Sequence, residues 1–516
     1  EGGERLRRWG PILAALMVAL SYWHLNWSRL GVRAILVPLL SAGVMAALWR
    51  GLHNRRPWPF LVSGALLGLS MYTYQAARLM PLVVVFAFAA SALKRGSVTR
   101  QDWTQLLVVA GVAALVFAPL GAHFLTHPGS FSRRVEEALI VQPGEEATQN
   151  VTAVLRQTAE TLLAFSVRGD ETPYSTIPGR PSLNPFLSGL LILGILTSLW
   201  TIKRPTRAVP LAWLALMIVP AALAGKGPTA KRAIGTLPAV ALLISLGALA
   251  PWLDPLRRLW DGGRAEAAAD APPAEPRARP DGPDSTRGGR LRALWILGLV
   301  AGFAWTGWVT YRDYFLVWAS NPNLPKHFEA DVAAVGEYIG ALPEQEIVYL
   351  SPELPRHPSI RFHSGLRADV RGYNGRVCLA APASTAQGTT YVLITGEGDS
   401  SLERLQAAFP QGRTSAAKLS GDGPSPFLAY QIPAGTELQA DPAHPLAATW
   451  ADRIAFLGVG LEWDEGEGRP GTLFLTLTYQ AVGEIEQRYT AFVHLLGPAR
   501  PETGSPLWAQ HDSEPC

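Results

Sequence analysis

Residues 184–251 read NPFLSGLLILGILTSLWTIKRPTRAVPLAWLALMIVPAALAGKGPTAKRAIGTLPAVALLISLGALAP. Three apolar runs, at 184–202, 208–224 and 233–251, are separated only by short turns that carry Lys and Arg. A helix that crosses a bilayer needs about 20 mostly apolar residues. The stretch therefore predicts three membrane helices joined by tight connections. Working outward, further apolar runs lie at 9–25, 33–50, 58–74, 78–94, 103–122 and 291–310. The expected fold is a polytopic α-helical membrane protein of about nine spans, in which 58–74 and 78–94 form a tight helical hairpin.

Composition agrees with this. Charged residues make up 17% of the 516 and apolar letters 48%, whereas a soluble domain carries about 25% charge. Residues 1–320 carry 32 Lys/Arg against 18 Asp/Glu, a balance of +14, while 321–516 carry 13 against 23, a balance of −10. Two halves of opposite sign point to two environments. One water-soluble globule, a disordered chain and a fibrous protein are excluded. The basic residues sit between apolar runs and form no continuous stripe, so no nucleic-acid partner is expected. Cys378 and Cys516 are far apart in sequence and read as two inert thiols.

Basic residues set orientation. Arg5, Arg7 and Arg8 precede the first run, and Arg50, Arg55 and Arg56 follow the second. Lys94, Arg95 and Arg100 follow the fourth, and Lys203, Arg204 and Arg207 follow the sixth. Eight more arginines lie in 252–292. With all of these in the cytoplasm the spans alternate correctly, and the C-terminal half lies outside. The chain starts at Glu1 in a loop-like run and stops at Cys516 soon after a strand-like one. We expect a piece of a longer chain.

The expected division is a membrane domain over 1–251 with an exterior loop at 123–183, then a disordered cytoplasmic linker over 252–290. The linker is rich in Ala, Pro, Gly and Arg and has no apolar period. A last membrane helix follows at 291–311. Helix- and strand-like periods then alternate over 312–433, predicting an exterior α/β domain. Period-two runs such as TLFLTLTYQAV predict an incomplete β-sandwich over 434–516.

Outward turns should be poor in cations, yet they hold Arg29, Arg33, Arg78, Lys226, Lys231 and Arg232. The loop 123–183 adds Arg133, Arg134, Arg156, Arg168 and Arg180. Arg29 and Arg33 are four apart and would share a helix face, as would Tyr74 and Arg78. Thr229 is placed to cap a helix whose first turn holds Lys231 and Arg232. Free N–H groups, the helix dipole and two cations all favour an anion there. Either these turns converge on a phosphate at the outer surface, or the cations snorkel to lipid headgroups. His123 and His127 have the spacing of a metal pair on a helix. Pro128 ends any such helix and no third ligand is placed, so ligand spacing does not support a divalent metal and the alternative is a hydrogen-bonded loop. Asp170 and Glu171 are outward carboxylates beside Arg168, either a weak candidate base for a sugar hydroxyl or a solvated turn. The spans hold almost no ionisable residue at mid-depth, which counts against an ion-coupled transporter.

The runs ALSYWHLNWSRLGVRAILVPLLSA, GALLGLSMYTYQAARLMPL, HFLTHPGSFSRRVEE, GDETPYSTIPGRPSLNPFLSGLLILG and GPTAKRAIGTLPAVALL resemble bacterial membrane glycosyltransferases of the GT-C superfamily. The similar branch holds protein O-mannosyltransferases and lipid A aminoarabinose transferases, with an RgtA/B/C/D-like domain. The resemblance covers about 9–310. The tail 440–516, with YTAFVHLLGPARPETGSPLWAQHDSEP, is similar to a β-sandwich often appended to such enzymes. It implies a polyprenyl-phosphate sugar donor, transfer to a protein, lipid or glycan acceptor at the outer face of the cell membrane, and an acidic catalytic base in a first outward loop, upstream of Glu1. A phosphate-binding role is carried onto Arg29, Arg33, Arg78, Lys231 and Arg232, with Tyr72, Tyr74 and His123 as pocket residues. No cofactor is implied with certainty. The rival readings are a lipid-linked oligosaccharide flippase or polymerase and a membrane-anchored carbohydrate-binding protein.

Overall fold

The computed structural model describes residues 2–54, 56–127, 129–131, 133, 139–140, 147–225, 229–253, 283–352, 354–382, 386–394, 401–416, 427–436, 442–464, 472–485, 489–500 and 504–514. Arg55, Pro128, Arg134, Lys226, most of the expected linker (254–282) and Cys516 lie outside the described residues. The chain divides into two compact units, Glu1–Leu324 and Pro325–Cys516.

Among the described residues, the regular elements of the first unit are helices and helical turns. Helices α1 (Gly2–Leu20), α2 (Tyr22–Arg29), α3 (Leu36–Asn54), α4 (Trp58–Ser70), α5 (Met80–Arg95) and α6 (Arg100–Thr126) are followed by α7 (Ala147–Ser166). Then come α8 (Pro185–Trp200), α9 (Pro205–Ala222), a helical turn at Thr229–Arg232, α10 (Leu237–Ala248) and α11 (Pro283–Tyr311). Local signals explain several ends. Thr99 and Asp102 form a reciprocal cap at the start of α6, and the Asn184 side chain accepts the Leu187 N–H at the start of α8.

Among the described residues, six segments are long and apolar enough to cross a membrane: Arg33–Asn54, Gln75–Arg95, Arg100–Thr126, Pro205–Ala222, Thr229–Ala248 and Gly289–Trp318. Trp58–Ser70 and Pro185–Trp200 are shorter apolar helices. The count by length and composition is therefore six, where the sequence reading expects nine. The first expected span, 9–25, is two helices. Ser21 between them is extended, and the Thr310 hydroxyl donates to the Leu20 carbonyl at 2.7 Å, satisfying an acceptor that the break leaves open.

Small residues let these helices approach closely. A Cβ on Gly194 of α8 would lie 1.9 Å from the Leu243 carbonyl oxygen, and one on Gly247 of α10 would lie 2.0 Å from that of Leu190. Gly64 and Gly68 of α4 face the Val109 and Ala113 carbonyl oxygens of α6 at 2.6 Å each in the same sense. Three apolar clusters form among the described residues of this unit, one around Trp23, Leu187, Ile234 and Ile244, one around Leu48, Phe60, Met80 and Trp213, and a smaller one of Tyr22, Tyr314, Trp318 and Leu324.

The second unit begins with a five-stranded sheet in the order β2-β1-β3-β5-β4. Its strands are β1 (Ile347–Ser351), β2 (Arg371–Gly372), β3 (Thr389–Leu393), β4 (Arg413–Ala416) and β5 (Leu428–Ile432). Strand β1 runs parallel to β2 and β3, and β5 runs antiparallel to β3 and β4. Period-two alternation sends Val348, Leu350 and Val392 to a face packed on Val335 and Ile339 of α12 (Ala330–Ala341). Tyr349, Tyr391 and Tyr430 go to the other face, packed on Leu405 of α14 (Ser401–Ala408). Between them in sequence, α13 (Pro358–His363) follows β1. Burial on both faces gives the apolar strands their high local hydropathy. Antiparallel sheets follow, one of β6 (His444–Trp450), β7 (Ile454–Asp464) and β8 (Thr472–Ala481), one of β9 (Ala491–Leu496) and β10 (Leu507–Ser513). Cys378 is in a disulfide, which corrects its reading as an inert thiol. Sequence separation alone carries no information on spatial approach.

Candidate functional site

The first unit contains a cavity of about 1940 Å³. It is walled by the turns that start α3 and α5, the end of α9, the turn Thr229–Arg232 and one side of α7. Contacts of Arg33–Ile35 with Ala233–Thr236, and of α9 with Gln75–Leu79, bring these turns to one end of the helical unit. Four of the five cations expected at a phosphate line this cavity: Arg33, Arg78, Lys231 and Arg232, together with Tyr74.

Arg29 does not join them. Gly31 adopts φ +64°, so the chain leaves the helix between Arg29 and Arg33. The two therefore share no helix face, against the sequence expectation. Arg29 ends α2 with its guanidinium 5.7 Å from the ring centres of both Tyr314 and Phe315. Arg33 opens a 3-10 turn at Arg33–Ile35. Tyr74 and Arg78 also lie on a 3-10 turn, Gln75–Leu79 with Tyr74 as its extended leading residue, not on an α-helix. The Arg78 guanidinium stacks 3.9 Å from the Phe131 ring centre and donates to the Phe131 carbonyl at 3.0 Å. Those two contacts fix the plane of its fork.

Lys231 and Arg232 sit on a clamped turn. The Asp170 carboxylate accepts the Thr229 N–H at 2.7 Å and the Ala230 N–H at 2.9 Å. The Ala230 carbonyl accepts the Trp23 indole N–H at 3.0 Å. Arg33, Lys231 and Arg232 line the same cavity. Thr229 is the first helical residue of that turn rather than the capping residue before it. The anion at that helix start is Asp170, supplied from 59 residues away. Both of its oxygens hold backbone N–H groups, so its observed task is structural, whereas the sequence offered it as a weak candidate base.

The loop that delivers Asp170 is closed on itself. The Gly169 N–H donates to the Gly179 carbonyl at 3.0 Å, and the Gly179 N–H to the Asp170 carbonyl at 2.9 Å. A Cβ on Gly169 would stand 1.8 Å from the Arg180 carbonyl oxygen, so only glycine fits. Arg180 then pairs with Asp313 at 2.7 Å and lies 3.7 Å from the Tyr22 ring centre. Glu171 pairs with Arg168 at 2.9 Å.

The remaining expected residues fall elsewhere. The exposed Tyr72 hydroxyl donates to the Val116 carbonyl at 2.8 Å, away from the cavity lining. His123 is not among the lining residues either. Its ring stacks on His127 at 4.2 Å, and the Thr126 hydroxyl meets His127 Nδ1 at 3.0 Å. Among the described residues no group of three or more His, Cys, Asp or Glu side chains is placed to hold a metal ion.

Sequence reasoning missed the wall formed by α7. Gln149, Thr152, Arg156, Gln157 and Glu160 line the cavity. Their three- and four-residue spacing was the available signal, hidden because 123–183 reads as a loop.

No family model matches the sequence, and no curated protein does. Among solved structures, the chain is similar to ArnT from Cupriavidus metallidurans bound to undecaprenyl phosphate, at 14% identity and a TM-score of 0.40, covering 83% of this chain and 81% of that one. It is also similar to the archaeal oligosaccharyltransferase AglB from Archaeoglobus fulgidus, in complex with an inhibitory peptide and a dolichol-phosphate, at 13% identity and a TM-score of 0.35. That likeness covers 70% of this chain and 52% of the archaeal one, so the chain spans about half its length.

Proposed function

We propose that the chain transfers a sugar from a polyprenyl-phosphate donor to an acceptor hydroxyl at the outer face of a bacterial cell membrane. The observation that carries this is the cavity lined by Arg33, Arg78, Lys231 and Arg232. Four cations gathered on one side of a cavity at the end of an apolar helical unit make that side attractive to an anion. A lipid phosphate at the bilayer surface supplies that anion. In a direct displacement the acceptor hydroxyl gives its proton to a general base, its oxygen attacks the anomeric carbon, and the phosphate leaves with the bonding electrons. Cations held in place before the reaction stabilise that developing charge. The loop charges support an exterior position for residues 312–516, and the division into membrane, linker, α/β and sandwich-like parts belongs to the same proposal.

The test uses purified chain in detergent and titrates undecaprenyl phosphate. Charge-assisted contacts of about 1.5–3 kcal/mol each predict that Arg33→Ala and Arg232→Ala weaken binding roughly 10- to 100-fold. Arg50→Ala, near the end of α3, and Arg204→Ala, just before α9, both on the side assigned to the cytoplasm, should change it less than about twofold. Equal damage by both pairs would make the cations membrane anchors. Binding without sugar transfer by the complete protein would favour a flippase.

A further inference from the structure

Helix α7 presents three different faces. Thr161, Ala164 and Phe165 are buried. Val151, Leu155 and Leu162 are more than half exposed and form an outward apolar stripe. Between these faces, Gln149, Arg156, Gln157 and Glu160 line the cavity. Arg156 and Glu160 pair at 3.0 Å, so this wall carries no net charge. It offers amide donors, amide acceptors, a guanidinium and a carboxylate. The opposing turns hold four cations. One cavity thus has a cationic wall and a neutral wall rich in hydrogen-bonding groups.

The two walls meet at the C-terminal end of α7. Phe165 packs edge-on against Trp23 at 5.4 Å, and the Trp23 indole holds the Ala230 carbonyl beside Lys231. From Glu160 back to Gln149 is eleven residues of helix, about 16 Å at 1.5 Å per residue. An anion needs only the first wall. A neutral, mixed donor and acceptor wall of that length suits a polyhydroxylated ligand, because each hydroxyl both donates and accepts.

We infer that the polar stripe of α7 is a sugar subsite, in which Glu160, Gln157 and Gln149 bind the hydroxyls of a sugar whose phosphate, or whose phosphate-bearing partner, sits on the cationic wall. This rests on the phosphate reading above and names the chemistry of the rest of the cavity. The sugar is either the one carried by the lipid donor or part of a glycan acceptor. Arg156 orients the Glu160 carboxylate through their ion pair.

The test measures binding to the full chain in detergent of undecaprenyl phosphate, of undecaprenyl phosphate bearing glucose, mannose, galactose or aminoarabinose, and of free hexose trisaccharides. The double change Glu160→Ala, Gln157→Ala should weaken at least one sugar-bearing probe roughly tenfold, the loss of a charge-assisted hydrogen bond. Undecaprenyl phosphate should stay within about twofold. Glu160→Gln, which keeps an acceptor oxygen, should be intermediate. Weakening confined to the lipid-linked sugars assigns the subsite to the donor, and weakening confined to the trisaccharides assigns it to the acceptor. If no sugar-bearing probe is weakened, or undecaprenyl phosphate is weakened equally, the inference is overturned while the phosphate site stands. If the wild-type chain does not bind undecaprenyl phosphate, the phosphate reading fails. The trisaccharide arm still decides the subsite in that case.

Discussion

Asp170→Ala removes both acceptors that hold the start of the turn bearing Lys231 and Arg232. The bonds are 2.7 and 2.9 Å long, and the donors are consecutive backbone N–H groups. Replacing a capping side chain by Ala costs about 0.5–2 kcal/mol. Here both oxygens are engaged and the residue is half-buried, so the upper end, about 2 kcal/mol, applies. If all of it falls on the placement of the two cations, donor binding weakens at most about 30-fold. Asp170→Asn keeps one acceptor oxygen but turns an NH2 donor toward the other N–H and drops the charge, so the weakening should fall between about fivefold and the full 30-fold. The assay is undecaprenyl phosphate binding together with KM and kcat for the lipid-linked sugar. A positioning residue should raise KM for the donor more than it lowers kcat, with Asn rescuing only part of the loss. Wild-type binding in the Ala variant would refute the clamp. A fall in kcat of several orders of magnitude with KM unchanged would instead make Asp170 the base that the sequence offered as an alternative.

Three further outcomes are expected. Arg180→Ala strips a buried partner from Asp313 and should cost about 3 kcal/mol, the low end for a broken buried pair, because Arg312 still pairs with Asp313 at 2.6 Å. A melting temperature within a degree of wild type would contradict this. Gly194→Ala and Gly247→Ala place a methyl within 2.0 Å of a carbonyl oxygen across the α8–α10 contact, so each should lower the melting temperature markedly, while Gly189→Ala, whose Cβ meets nothing within 4 Å, should not. The Arg367 guanidinium holds the Asp369 carboxyl below the usual carboxylate range. A lowered folded value gives stability that is present above the unfolded pKa of about 3.9 and lost as pH falls through the folded value. Asp369→Asn should therefore show a flatter acid limb of melting temperature against pH, and identical limbs would remove the pair from the account.

What the sequence determined by itself is local. Apolar runs long enough to cross a bilayer, and the cations in the turns between them, are legible because hydropathy and charge act over one helix length. Each of the nine predicted runs holds helix in the structure. The alternating strands of the second unit are legible for the same reason, since side chains of neighbouring residues point to opposite faces. Tertiary structure decided which cations share a space. Arg33 and Arg232 are far apart in sequence and meet only because helix starts and ends gather at one end of the unit. Gly31 turns Arg29 away from them by its positive φ, a choice invisible in a spacing of four. Asp170 reaches Thr229 across 59 residues, and only the closed loop from Gly169 to Gly179 fixes where it points. The polar stripe of α7 was present in the letters, but its meaning depended on the opposite wall. A helix face is assigned a role by what packs against it, and no local pattern contains that partner.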